Sequence, residues 1–192
     1  FATYFAITWI KVLDVSQPFS LAFIFLGICL SFLISSLVIG STGKTALLMV
    51  DEVRRQFKEI KGLFERRAKP DYKKCIDISL RNALKEMVLP SLISILVPIF
   101  IGFTFGARAL GSLLIGAISS AALLGPFFSN LGSAFDNAKK FIEGKGLKRT
   151  FEHESAIIAD TVGDPLKDVA GPSLLIFMKL IGMTALLIVK LI

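Results

Sequence analysis

Residues 19–50 read FSLAFIFLGICLSFLISSLVIGSTGKTALLMV and carry a single charge, Lys44. As a helix rising about 1.5 Å per residue, this stretch would reach about 48 Å, well beyond the roughly 30 Å hydrocarbon core of a bilayer. The sequence therefore predicts a membrane-spanning helix that tilts or protrudes. The composition excludes an ordinary soluble domain, because 54% of the 192 residues are hydrophobic and only 19% are charged, against about 25% charged in soluble proteins.

Other long uncharged runs follow. Twenty-one residues separate Glu86 from Arg108, and 27 separate Arg108 from Asp136; a span needs about 20. We expect an all-α membrane protein, a bundle of transmembrane helices. Its predicted segments are 1–10 as the end of a preceding span, 19–50 as a span, 51–86 as a basic cytoplasmic segment, 87–106 as a span, a short loop at 107–111, 112–143 as a span, 144–153 as a cytoplasmic loop and 154–192 as the last span.

The basic residues predict the topology. Residues 51–86 hold 11 of the 22 Lys and Arg residues, and 139–167 form a second basic region, whereas the opposite connections hold only Lys11 and Arg108. Because loops rich in Lys and Arg stay cytoplasmic, we expect both basic regions inside the cell, in a multi-pass protein of the cell inner membrane. Seven acidic residues are mixed into 51–86, unlike a one-signed nucleic-acid stripe, so we expect lipid contact and no nucleic acid. Residues 1–10 lack the features of a signal peptide, and we expect them to be the tail of a helix.

The residues that can carry chemistry lie at the cytoplasmic ends of the last two spans, in 136–140 (DNAKK) and 160–168 (DTVGDPLKD). The aspartates of the second segment are spaced i, i+4, i+8, which places three repelling charges on one helix face. A cation should lie against them, and Mg²⁺ takes carboxylate oxygens and bridges to phosphates. Lysines suit phosphate oxygens. The residues concerned are Asp160, Asp164 and Asp168, with Lys139, Lys140 and Lys167.

Two interpretations of these residues are open. In the first, carboxylates hold metal and lysines hold phosphate for phosphoryl transfer. In the second, the aspartates only complement a helix dipole and the lysines only obey the topology. Pro165 adds a further alternative, because it either kinks the helix or starts it with Asp164 as the cap. If the helix starts there, Asp160 leaves the shared face.

Three further ionisable residues are notable. Lys179 follows Asp168 by 11 residues, about three turns and roughly 16 Å deeper. At that depth a lysine faces a polar pathway or snorkels to an interface; snorkelling suffices for Lys190. The single histidine, His153, lies in a polar stretch, where we expect it to be solvated and without a role.

The sequence resembles the ion-pumping membrane-bound inorganic pyrophosphatases over most of its length. The similar segments occur in series: 49–57 (MVDEVRRQF), 68–72 (AKPDY) with Cys75, 136–140 (DNAKK), and 163–168 (GDPLKD) followed by 171–173 (GPS). The resemblance implies a homodimer of sixteen-helix subunits in which hydrolysis of Mg-pyrophosphate at a cytoplasmic funnel drives H⁺ or Na⁺ across the membrane. This chain would be the last four spans plus a remnant of the one before. The implied cofactors are Mg²⁺ and, in some members, K⁺.

The resemblance also implies roles for the charged residues. Metal would be held by Asp136, Asp160 and Asp164, and pyrophosphate by Lys139, Lys140 and Lys167. Asp168 would orient the attacking water as a catalytic residue, and Lys179 would belong to the ion gate. Because the family's upstream acidic motifs are absent, we expect the chain alone to be inactive.

The match has departures in packing and gate positions: Ala159, Val169, Leu175 and the run 132–135 (GSAF) stand where the family usually has Gly, Ser or Thr, Asn and a Gly-Gly-Ala-Trp run. Hydrolysis is therefore better supported than pumping. The alternative function is a secondary transporter with an acidic cytoplasmic cation-binding vestibule and Lys179 in its path, which would not need the lysine set. A third is a membrane subunit without chemistry of its own.

Overall fold

The structure is a computed structural model that describes residues 2–8, 10 and 12–192. Phe1, Trp9 and Lys11 lie outside the described residues, and with them the part of the topology prediction that concerns Lys11. Three helices are long and apolar enough to cross a membrane, which confirms the all-α membrane class. The elements are α1 (Ala2–Thr8), α2 (Pro18–Glu59), α3 (Tyr72–Gly144), α4 (Phe151–Asp164), a π-helical turn (Pro165–Ala170) and α5 (Gly171–Ile188).

Helix α2 is longer than the apolar stretch that begins it. Its 42 residues extend about 63 Å, about twice the thickness of a bilayer core, and the helix continues into the charged segment. There the buried Gln56 side chain accepts the N–H of Asp71 at 2.8 Å and donates to its carbonyl at 3.0 Å. Hydrogen bonds from Arg55 and Gln56 lower the pKa of Glu52 to about 2. Asp71 in turn caps α3 by accepting the Lys74 N–H, so Gln56 fixes where α3 begins.

Helix α3 reverses direction at Gly106, which has φ 80° and ψ 178°, a conformation that favours glycine. Residues before Gly106 and residues after it lie beside the same part of α2. Ser31 donates to the Ala117 carbonyl at 3.0 Å, and Ile34, one turn on, lines a cavity together with Ser94. The halves 72–105 and 107–144 are therefore antiparallel, and each is longer than the roughly 20 residues that a span needs. The predicted loop at 107–111 is wrong, because those residues are helical and one glycine suffices for the reversal.

The backbones of α2 and the second half of α3 touch. A Cβ atom on Gly27 would lie 2.2 Å from the Leu113 carbonyl oxygen, and one on Gly116 would lie 2.0 Å from the Ile24 carbonyl oxygen. Small residues permit such close packing of membrane helices. Around this crossing lies the apolar core, whose members include Leu30, Ile34, Ala117, Leu174, Phe177 and Ile181. The crossing fixes the direction in which the end of α3 leaves the bundle.

Helix α4 continues through Pro165 into α5. Asp164 has helical dihedral angles (φ −58°, ψ −48°) and makes no side-chain cap, so the alternative in which the helix starts at Pro165 is wrong. The Gly171 N–H bonds to the Leu166 carbonyl five residues back. This wider π-turn accommodates the proline, which lacks an N–H and clashes with the carbonyl four residues earlier. The helix begins at Phe151 instead.

Candidate functional site

The second half of α3 crosses the last helix at two glycines. A Cβ atom on Gly132 would lie 2.4 Å from the Gly163 carbonyl oxygen and 2.5 Å from Lys167 Cβ. One on Gly163 would lie 3.0 Å from Gly132 Cα. Asp136 follows Gly132 by one turn, and Lys167 follows Gly163 by one turn. The crossing therefore brings Asp136 and Lys167 together from two helices.

Lysines enclose two carboxylates at this crossing. Asp136 Oδ2 accepts from Lys140 Nζ at 2.8 Å and from Lys167 Nζ at 3.2 Å. Asp160 Oδ2 accepts from Lys139 Nζ, and Lys139 Nζ also lies 4.0 Å from Asp136 Oδ1. The Asp136 and Asp160 side chains are only 16% and 8% exposed, so water and salt screen these pairs less than surface pairs. We call these five residues the lysine–aspartate cluster.

One oxygen of the cluster has no partner. Asp160 Oδ1 is buried and makes no hydrogen bond within the part of the chain that the structure describes, which is unfavourable for a carboxylate. A hard cation would satisfy it, and carboxylates are the ligands that Mg²⁺ prefers. Among the described residues, however, no group of three or more His, Cys, Asp or Glu side chains could hold a metal ion. The donor chemistry of these carboxylates fits Mg²⁺, but they are too few to form a complete ligand set.

The other two aspartates lie at the edge of the cluster. Asp164 is close enough to Lys139 and Lys167 to interact electrostatically, and Asp168 is close enough to Lys167. Both are exposed, whereas Asp160 is buried. Asp160 and Asp164 lie one turn apart in α4, as the sequence predicts, whereas Asp168 lies in the π-turn that begins at Pro165, where the angular step per residue changes.

Lys179 is not part of the cluster. It lies in α5, about three turns beyond Asp168, and its side chain is exposed on the surface of the bundle that the described residues form.

Sequence reasoning missed His153, which is not solvated as expected. Its side chain is 12% exposed, with Nε2 3.1 Å from Glu143 Oε1 and Nδ1 accepting the Arg149 N–H at 3.2 Å. Glu143 ends α3 and His153 lies in the first turn of α4, so the pair spans the connection 145–150. A signal was available in the sequence, because an acid and the single histidine flank a short glycine-containing connection.

Together these features define a class of protein: a multi-pass helical membrane protein in which paired aspartates and lysines meet where two helices cross. The family model for inorganic H⁺ pyrophosphatases matches residues 1–188. The chain belongs to this family, which confirms the membrane pyrophosphatase that the sequence motifs indicate.

Curated relatives agree with the family match. The chain is 45% identical over 169 residues to a K⁺-stimulated pyrophosphate-energized sodium pump of Thermotoga maritima, covering 86% of this chain and 23% of the relative. It is 44% identical over 179 residues to a K⁺-insensitive pyrophosphate-energized proton pump of Streptomyces coelicolor (92% and 22%). It is 43% identical over 186 residues to a protein of that same description from Caldanaerobacter subterraneus (96% and 26%). The chain spans about a quarter of the length of these relatives.

Proposed function

We propose that this chain contributes the lysine–aspartate cluster to a pump that hydrolyses Mg-pyrophosphate and moves H⁺ or Na⁺ across the membrane. The observation that carries the proposal is the interhelical pairing of Asp136 with Lys167 and of Asp160 with Lys139. Carboxylates suited to a hard cation alternate here with lysines suited to phosphate. A site with both sets fits a metal-bound phosphate better than it fits a bare cation.

In the proposed mechanism the lysines neutralise the carboxylates until substrate binds. Asp136, Asp160 and Asp164 would then hold Mg²⁺, which when bound draws negative charge from the phosphoryl group being transferred. Lys139, Lys140 and Lys167 would leave their carboxylate partners and bind phosphate oxygens. Asp168 would accept a hydrogen bond from the attacking water and orient it. Water splits pyrophosphate into two phosphates.

The remaining assignments are also part of the proposal. The charge-rich segment 51–86 supports a cytoplasmic position for the site, in an inner membrane. The first half of α3 bears many exposed apolar side chains, including Leu80, Leu84, Leu92 and Leu96, which supports lipid contact and a homodimer. K⁺ is proposed as an activator because relatives of both K⁺-stimulated and K⁺-insensitive description match the chain.

Phosphate release tests the proposal directly. Membranes carrying the complete open reading frame should release phosphate from pyrophosphate with Mg²⁺ and none with a chelator, because the carboxylates need a cation to bind substrate. A K⁺ titration of the same rate would place the protein among the K⁺-stimulated or the K⁺-insensitive pumps. A well-folded complete protein without activity would contradict the proposal. The secondary transporter would then be favoured, and replacing Lys139 and Lys167 should leave its transport largely intact.

Lys179 is proposed to line the ion path. Lys179→Ala should lower the ions moved per pyrophosphate hydrolysed several-fold, because an ionisable residue at bilayer depth faces a polar pathway. The ratio is measured in sealed vesicles by following ion uptake and phosphate release together. Lys190→Ala, at the end of the chain, is the matched control and should keep the parental ratio. An unchanged ratio in Lys179→Ala would remove Lys179 from the path.

A further inference from the structure

We propose that Glu143 and His153 form a brace that sets the position of Lys139 relative to Asp160, and that both are positioning residues for the binding of Mg-pyrophosphate. The inference rests on the proposed function and adds residues outside the lysine–aspartate cluster. Neither residue touches the proposed ligands, so their influence acts through the two helices that they join.

The brace lies at the open end of the two helices that carry the cluster. Glu143 follows Lys139 by one turn of α3, and His153 precedes Asp160 by about two turns of α4. At the other side of the Lys139–Asp160 pair is the crossing of Gly132 and Gly163. The pair is thus held between a backbone contact on one side and the Glu143–His153 hydrogen bond on the other. Losing the brace removes a side-chain link between the two helices on that side, next to the connection 145–150.

The hydrogen bonds of His153 define which ring nitrogen carries its proton. Nδ1 accepts the Arg149 N–H, so Nδ1 offers a lone pair, and the proton of the neutral ring is on Nε2. Nε2–H then donates to Glu143 Oε1 at 3.1 Å. Arg149 has φ 69°, a conformation unfavourable for a residue other than glycine. Nδ1 therefore holds the connection 145–150 in its unusual conformation, and Nε2 joins α4 to α3.

Charges near the brace link it to the cluster. Lys139, of the cluster, and Lys148, of the connection, both lie close enough to Glu143 to interact with it. Lys139 therefore interacts with Glu143 as well as with Asp160, to which it is hydrogen-bonded. Substrate must contact both helices at once. We therefore expect greater mobility of the helix ends to weaken substrate binding more than it slows the chemical step. Loss of the brace should thus raise KM for Mg-pyrophosphate more than it lowers kcat.

Two substitutions in the complete protein test the roles of the two ring nitrogens of His153 one at a time. His153→Gln places an amide N–H near the position of Nε2, and His153→Asn places an amide oxygen near that of Nδ1. We expect His153→Asn and His153→Ala to raise KM about tenfold, the value of a hydrogen bond to a charged group, with kcat nearly unchanged. His153→Gln should restore most of the affinity. Equal KM values for the Gln and Asn variants would overturn the role of Glu143.

Further variants and a second readout complete the test. Glu143→Ala should match His153→Ala, and the double variant should add little, because both remove one interaction. Glu154→Gln, an exposed acid beside His153, is the matched control and should keep the parental KM. Trypsin should cut at Lys145, Lys148 or Arg149 faster in His153→Ala than in the parent, because the connection is released.

The outcomes distinguish the two proposals. An inactive parent contradicts the proposed function alone, and faster trypsin cleavage of His153→Ala would still support the brace. An active parent with unchanged KM and cleavage in the Ala variants would overturn the brace and leave the proposed function standing.

Discussion

Asp160→Asn should lower the Mg²⁺-dependent hydrolysis of pyrophosphate by about 10²–10³-fold, the range lost when one preorganised electrostatic group is removed from a site. The substitution keeps the shape of the side chain and removes its charge. Asp160 is buried, bonds Lys139 through Oδ2 and leaves Oδ1 without a partner among the described residues. An amide in its place can still accept from Lys139, but it is a poor ligand for Mg²⁺. The measurement is the initial rate of phosphate release by the complete protein at saturating pyrophosphate.

A control separates loss of the site from loss of the fold. Asp77→Asn removes an exposed carboxylate whose partner is Arg81 at 2.6 Å, one turn along the same helix. Exposed pairs contribute little to stability, and Asp77 lies in the segment 51–86, away from the cluster. Its variant should hydrolyse at the parental rate. If Asp160→Asn also keeps the parental rate, with an unchanged thermal unfolding temperature, the cluster is not the hydrolytic site.

The all-α membrane class could be predicted from the sequence because the bilayer imposes a length that composition reveals. Charge-free runs of 21 and 27 residues on either side of Arg108 are explained by little else. The reversal between them was predicted close to its place, as a loop at 107–111, but not as a single residue, because Gly106 is one of 15 glycines and its φ of 80° is visible only in the structure. Pro165 indicated a break in the last helix. In the structure the helix instead continues through Pro165 with a π-turn.

The residues of the lysine–aspartate cluster could also be predicted, whereas which lysine bonds which aspartate could not. Spacing along one helix favours contacts between residues three or four apart, and Asp136 with Lys140 is such a pair. Lys167 instead bonds Asp136 on the other helix, although Asp164 and Asp168 are nearer to it in the sequence. This pairing depends on how closely the backbones of the two helices approach, which cannot be predicted from the spacing of residues along one helix. The pair of His153 and Glu143 also joins two helices, but here the short connection between the two residues was a signal that the sequence contained.

Gly132→Ala should lower kcat/KM by about 10²-fold, because a displacement of about 1 Å in a site can cost that much. A Cβ atom there would meet the Gly163 carbonyl oxygen at 2.4 Å and Lys167 Cβ at 2.5 Å. Neither atom is the far end of a flexible side chain, so the helices must move apart. Lys167 then moves away from Asp136, although no charged residue has been replaced. The measurement is phosphate release across a range of Mg-pyrophosphate concentrations.

Gly125→Ala is the matched control, two turns earlier on the same helix and facing the same neighbour. A Cβ atom at Gly125 would lie 3.6 Å from the Gly171 carbonyl oxygen, an ordinary contact distance, so this variant should keep parental kinetics. Both variants add one methyl group to the same interface, and they differ in whether the backbones must separate. A loss confined to Gly132→Ala would show that the approach of the two helices creates the site. Equal activity in both variants, with equal stability, would mean that Asp136 and Lys167 can act without being held together.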